Sequence, residues 1–134
     1  MQNIVSIGLD EAKAITAAAR AKAVAEGWTV VIAILDSGGH LITLERADGT
    51  QLGSIRVAQD KAKTALMFKR PSKALEDVVL SGKVHMTQLT GALPIEGGLP
   101  LIVDGAVVGA IGISGVQSFQ DGIVAQAGAD ALSQ

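Results

Sequence analysis

The chain has no cysteine and no tyrosine, and its 134 residues include one tryptophan, two phenylalanines, two histidines and three prolines. Without cysteine there is no disulfide framework, no thiol nucleophile and no need of an oxidising compartment. Two histidines without cysteines cannot supply the four nitrogen or sulfur ligands of a structural zinc site. With aromatics at 2%, the core has to be built from Ala, Val, Ile and Leu, whose small side chains let backbones approach closely. No basic run occurs, and a net charge of −2 argues against nucleic acid as the main partner. The most apolar stretch, Leu99 to Ile113, is broken by Asp104 and several glycines. It falls short of the roughly 18 uninterrupted apolar residues a membrane span needs. The opening MQNIVSIGLDEAK has no basic segment followed by an apolar one, so no signal peptide is expected and the cytoplasm is the expected compartment.

What is present is aliphatic: 49% of residues are hydrophobic and the mean hydropathy is +0.41. The length suits one domain, 1–134, able to bury roughly two-thirds of its unfolded surface. Apolar surface in excess of that core is expected to be covered by further copies of the chain.

Leu9, Ala12, Ile15, Ala19 and Ala23 recur at helical spacing, with Asp10 and Glu11 in the first turn and Gly27 as a left-handed stop. Trp28 to Leu35 is apolar on both faces and predicts a central strand, turned at Asp36-Ser37-Gly38-Gly39 into a return strand from His40 to Arg46. Ser54 is placed to cap a second helix running to about Phe68, with Ile55, Ala58, Ala62, Ala65 and Leu66 inward, until Pro71 breaks it. Ser72 to Leu80 predicts a shorter helix ended by Gly82, and Lys83 to Glu96, lacking a period, predicts a loop. Asp104-Gly105 between two apolar runs is a strong hairpin signal. Ser118 to Asp121 has the spacing of a capping box, ahead of a last helix with Ile123, Val124, Ala127 and Ala131 inward. The fold class that follows is α+β, an antiparallel sheet of two hairpins flanked by helices.

Chemistry is harder to place. His40 and His85 fall on different elements without ligand-like spacing, so no metal site is predicted. Gly112-Ile113-Ser114-Gly115 lacks the glycine two residues after serine that a nucleophile elbow needs; Ser114 reads first as a turn hydroxyl. Gly109, Gly112 and Gly115 match no phosphate-binding spacing and alternate faces, so each marks a close approach of backbone or ligand. Gly97-Gly98 before Pro100 predicts a flexible strand start whose N–H groups are exposed to an anion. Arg46 is a natural carboxylate anchor, Asp60, Lys61 and Lys63 read as a solvated helix face, and Glu96 beside the glycine pair is a base if buried.

Four blocks carry a resemblance: VVIAILDSGGHLITLERADG (Val30 to Gly49), GSIRVAQDKAKTA (Gly53 to Ala65), EGGLPLIVDGAVVGAIGISG (Glu96 to Gly115) and QDGIVAQAGADAL (Gln120 to Leu132). In that order the chain resembles the GlcG/HbpS-like family, which includes the C-terminal domain of PduO-type adenosyltransferases. The resemblance implies a profilin- or PAS-like antiparallel sheet, assembly into dimers and often octamers, and binding of haem, or of corrinoid in the adenosyltransferase context; some members stand in glycolate or aromatic catabolic operons. It also implies a histidine iron ligand on the first helix. None lies between Asp10 and Glu26, which leaves His85 or a Thr or Ser oxygen for that role.

Together these readings predict an oligomeric protein that binds a carboxylate-bearing or aromatic metabolite through Arg46, Lys61, Gly97, Gly98 and Ser114. His85 and Glu96 would serve proton-transfer or lyase chemistry, and haem binding for sensing, storage or degradation is the alternative. Self-association is checked by light scattering at micromolar concentration: a mass of two or more chains is expected, and a mass of one chain would contradict it.

Overall fold

The computed structural model describes residues 1–132. In chain order the elements are α1 (Leu9–Glu26), β1 (Val31–Asp36), β2 (Leu41–Arg46), α2 (Gly53–Phe68), α3 (Ser72–Leu80), a 3-10 turn at Val84–Gln88, β3 (Gly98–Val103), β4 (Ala106–Ser114) and α4 (Ser118–Leu132). The strands form one sheet in the order β2-β1-β4-β3, antiparallel throughout. The α+β class and the two hairpins are as the sequence predicts. Asp104 and Gly105 both take positive φ, 50° and 79°, the geometry of the tight hairpin turn that an Asp-Gly pair favours.

Several boundaries differ for identifiable reasons. The first strand begins at Val31, not Trp28, because the Trp28 and Gly27 N–H groups close the end of α1 on Ala23 and Val24 carbonyls (2.9 and 3.1 Å), with Gly27 left-handed at φ 76°. His40 stays outside β2: its N–H goes to Asp36 Oδ1 at 3.0 Å. Ser54 lies inside α2 rather than capping it, and the loop predicted for Lys83 to Glu96 contains the 3-10 turn. The capping box at Ser118 is displaced by one residue: Gln120 Oε1 accepts the Gln117 N–H at 3.1 Å. That frees Asp121 to turn inward, and α4 buries Asp121, Val124, Ala125 and Gly128 while Ile123 is 41% exposed.

Both faces of the sheet are covered. On one face Ile32, Ile34, Ile111 and Ile113 pack with Ile15, Ala19 and Ala23 of α1 and Val124 and Ala125 of α4. The crossing is close because Gly128 sits against Ile111 and Ala19, where a Cβ would stand 2.5 Å from Ile111 Cδ1 and 3.2 Å from Ala19 Cβ. On the other face lies α2, over Val31, Ala33, Leu35 and Ala110. Gly98 and Gly112 are cross-strand partners on β3 and β4. Above them run the Lys61 and Ala58 carbonyls of α2, each occupying the space that a Cβ on its glycine would need. The glycines thus act as a seat that brings helix backbone, not helix side chains, onto the sheet. Of Asp60, Lys61 and Lys63, expected on a solvated face, Lys63 is exposed and Asp60 half-buried, but Lys61 is pressed inward and only 2% exposed.

The layers leave β2 as an outer strand with α1 above it and solvent beyond. No helix of the described residues is long and apolar enough to cross a membrane.

Candidate functional site: a groove between α1 and β2

A cleft of about 560 Å³ lies where α1 overhangs the edge strand β2; Lys13, Thr16 and Arg20 line one wall and Ile42, Thr43, Leu44 and Glu45 the other. Its volume is in the range of small-molecule and cofactor sites. Lys13, Thr16 and Arg20 are at i, i+3 and i+7, so helical geometry puts them in one row. Thr43 and Glu45 pair in register with Ile34 and Ile32, residues that pack under α1, so these two side chains point to the same side. Across the base, the Thr16 and Thr43 hydroxyl oxygens are 3.3 Å apart. Across the mouth, Arg20 Nε meets Glu45 Oε1 at 3.1 Å. The groove combines two cations, one carboxylate, two hydroxyls and aliphatic surface from Ile42, which packs with the α1-side core; Leu44, the partner of Ala33, turns its side chain to the α2 face. That donor set suits an apolar molecule carrying carboxylates. Neither histidine lines it, so the groove offers a metal centre oxygen donors only.

The sequence-predicted residues fall mostly elsewhere. Arg46 comes nearest: exposed at the end of β2, it lines a side cleft of about 120 Å³ that shares Arg20 and Glu45 with the groove. Lys61, Gly97, Gly98, Ser114 and Glu96 are gathered on the opposite face, around the end of β4. There Lys61 Nζ donates to Asp121 Oδ2 at 3.0 Å and to the Ile113 carbonyl at 3.1 Å. A Cβ on Gly97 would stand 2.9 Å from Lys61 Nζ, so a larger residue would collide with the ammonium. The exposed N–H groups expected at Gly97-Gly98 are not found, since both residues are buried and the Gly98 N–H donates to Ser72 Oγ at 2.9 Å. Ser114 Oγ bonds Ser54 Oγ at 3.0 Å. His85 is exposed on the 3-10 turn, and His40 stands 3.5 Å from Asp36 Oδ1 at the hairpin turn.

Asp121 holds this cluster together. Burial pushes its carboxyl above the usual carboxylate range, against the pull of Lys61 and of the Val116 and Gly115 N–H groups. Glu96 is half-buried and its carboxylate rests against Gly122, the fifth residue of α4. Burial raises its pKa too, with Glu76 adding to the effect and Lys73 opposing it. Among the described residues no three His, Cys, Asp or Glu side chains lie close enough to hold a metal ion.

A sheet of this order, with helices on both faces, defines a class of small α+β proteins already known. The chain belongs to the HbpS-like family: the family described as haem degrading protein HbpS-like matches residues 7–130. It is similar to protein GlcG of Escherichia coli K12, 37% identical over 114 residues and 85% of each chain. The crystal structure of a PduOC:heme complex superposes with a TM-score of 0.85 at 30% identity, covering 95% of both chains. That of HbpS gives 0.92 at 28% identity, covering 100% of this chain and 95% of the other.

The Lys61–Asp121 pair yields a stability prediction. Lys61→Met strands a buried carboxylate, and loss of one partner of such a pair costs about 3–5 kcal/mol. Denaturant melts should show that loss for Lys61→Met, with much of it recovered in Lys61→Met/Asp121→Asn, whose amide oxygen still accepts the Val116 N–H. A loss below about 1 kcal/mol in the single variant would contradict a buried charge pair.

Proposed function

We propose that this chain is a ligand-binding protein that takes an apolar, carboxylate-bearing molecule of the haem class in the α1–β2 groove. The observation that carries the reading is the pairing of the Lys13 and Arg20 cations with the apolar Ile42 side chain in one cleft of about 560 Å³. Cations at a rim and aliphatic surface below are the two things a porphyrin dicarboxylate requires of its site. That a relative of the same fold forms a complex with haem supports the choice. Lys13 and Arg20 would hold the propionates, Ile42 would meet the ring face, and Thr16 and Thr43 would supply oxygen near the iron. Bound haem would bring redox and axial-ligand chemistry; the chain's own contribution is to bind and orient it.

Self-association belongs to the same proposal. Ile4, Val5, Leu52, Leu80 and Val84 are each more than 60% exposed, apolar surface of the kind that copies of a chain cover.

A second reading keeps the ligand at the opposite face. Glu96, half-buried with a raised pKa, beside Lys61, Gly97, Gly98 and Ser114, is suited to proton transfer on a carboxylate or aromatic metabolite, with Arg46 and His85 as outlying partners.

One experiment separates the two. In a hemin titration followed by absorbance, the first reading predicts a saturable shifted Soret band, weakened about three- to tenfold by Lys13→Ala and by Arg20→Ala. His85→Ala and Glu96→Ala should leave it unchanged. The reverse pattern favours the opposite face, and a spectrum identical to that of free hemin removes haem binding.

A further inference from the structure

Most exposed ion pairs in this chain are local. Lys22–Glu26, Arg56–Asp60 and Lys73–Asp77 each join residues four apart on one helix. Among the described residues, Arg20–Glu45 is the one exposed pair that links two elements, and it does so across the mouth of the groove. Its geometry is loose for a structural tie. The contact is a single Nε–Oε1 approach at 3.1 Å, with the two side chains 55% and 42% exposed. Pairs of that kind lie at the weak end of the scale, being solvated and entropically costly to hold. The remaining guanidinium donors of Arg20 have no partner among the described residues, and Lys13, in the same row, makes no ion pair or side-chain hydrogen bond there.

We propose that Glu45 is a built-in stand-in for the ligand's carboxylate, occupying Arg20 until an anionic ligand displaces it. This deepens the groove reading above and rests on it. The chemistry is an exchange of one carboxylate for another on the same guanidinium. A ligand with a free carboxylate replaces the Glu45 contact and gains the unused Arg20 donors and the Lys13 ammonium. A neutral analogue of equal shape does not compete for Arg20 and leaves the Glu45 contact in place, so its affinity does not depend on Glu45. Glu45 therefore keeps Arg20 paired in the empty groove, at the expense of some affinity for anions.

The test uses protoporphyrin IX, which has two propionates and no iron, and its dimethyl ester, which has none free. Binding is followed by porphyrin fluorescence. Glu45→Gln should tighten protoporphyrin binding about two- to fivefold, the range that removal of an exposed ion pair allows. It should leave the affinity for the ester unchanged. Arg20→Gln should weaken protoporphyrin binding, and in that background Glu45→Gln should bring no further gain. The proposal is overturned if Glu45→Gln is neutral or harmful for protoporphyrin, if the ester gains equally, or if the gain persists without Arg20, which would mean simple charge repulsion. Wild-type binding with an unresponsive Glu45→Gln removes only this proposal. Failure of the wild type to bind protoporphyrin removes it together with the groove reading.

Discussion

Two carbonyls of α2, those of Ala58 and Lys61, lie where Cβ atoms on Gly112 and Gly98 would stand. Everything distinctive on that face of the sheet follows from this approach. A helix resting on side chains would sit one side-chain layer higher and leave a lysine at position 61 free to reach water. Seated on backbone, α2 has no such clearance, and Lys61 is held between the helix and the end of β4. Its charge can be tolerated there only with a partner, which Asp121 of α4 and the Ile113 carbonyl supply. The glycine seat and the buried pair are thus one device, tying α2, β4 and the start of α4 together.

The opposite face is built to another rule. There α1 and α4 meet over Ala19 and Gly128, and the Lys13–Thr16–Arg20 row of α1, beside its core stripe, overhangs the outer strand β2. The overhang makes the groove. Because β2 has no neighbour on its far side, polar residues such as Thr43 and Glu45 are tolerated at positions that would be core in a wider sheet. The two faces therefore divide the work: one locks the helices to the sheet, and the other leaves an open cleft with unbalanced positive charge.

The sequence made the architecture legible because its signals were local. The Asp104-Gly105 turn, the Gly27 stop and the doubly apolar β1 each depend on a few neighbouring residues. Lys61 was the instructive miss. It lies three residues after Ala58 and four before Ala65, on the alanine stripe that was read as inward, yet its charge argued for solvent. What decided the matter was Gly98, far away in the chain. The groove was missed for a similar reason: Thr16 falls on the Ala12–Ala19–Ala23 stripe and Thr43 on an alternating strand, and only the topology shows that they face each other. The cluster at Gly97-Gly98 was found, but the flexibility read from its glycines is replaced by close packing, a distinction composition does not make.

The central claim is that ligand is received at the edge of β2 and not around the end of β4. Amide spectra of the ¹⁵N-labelled chain titrated with diamagnetic zinc protoporphyrin test it most directly, since the porphyrin ring current marks nearby residues. The account predicts the largest shifts at Lys13, Thr16 and Arg20 and along Ile42 to Glu45, with Glu96, Gly97, Gly98 and Ser114 little changed. Shifts centred on those four, with the α1–β2 residues unmoved, would contradict it.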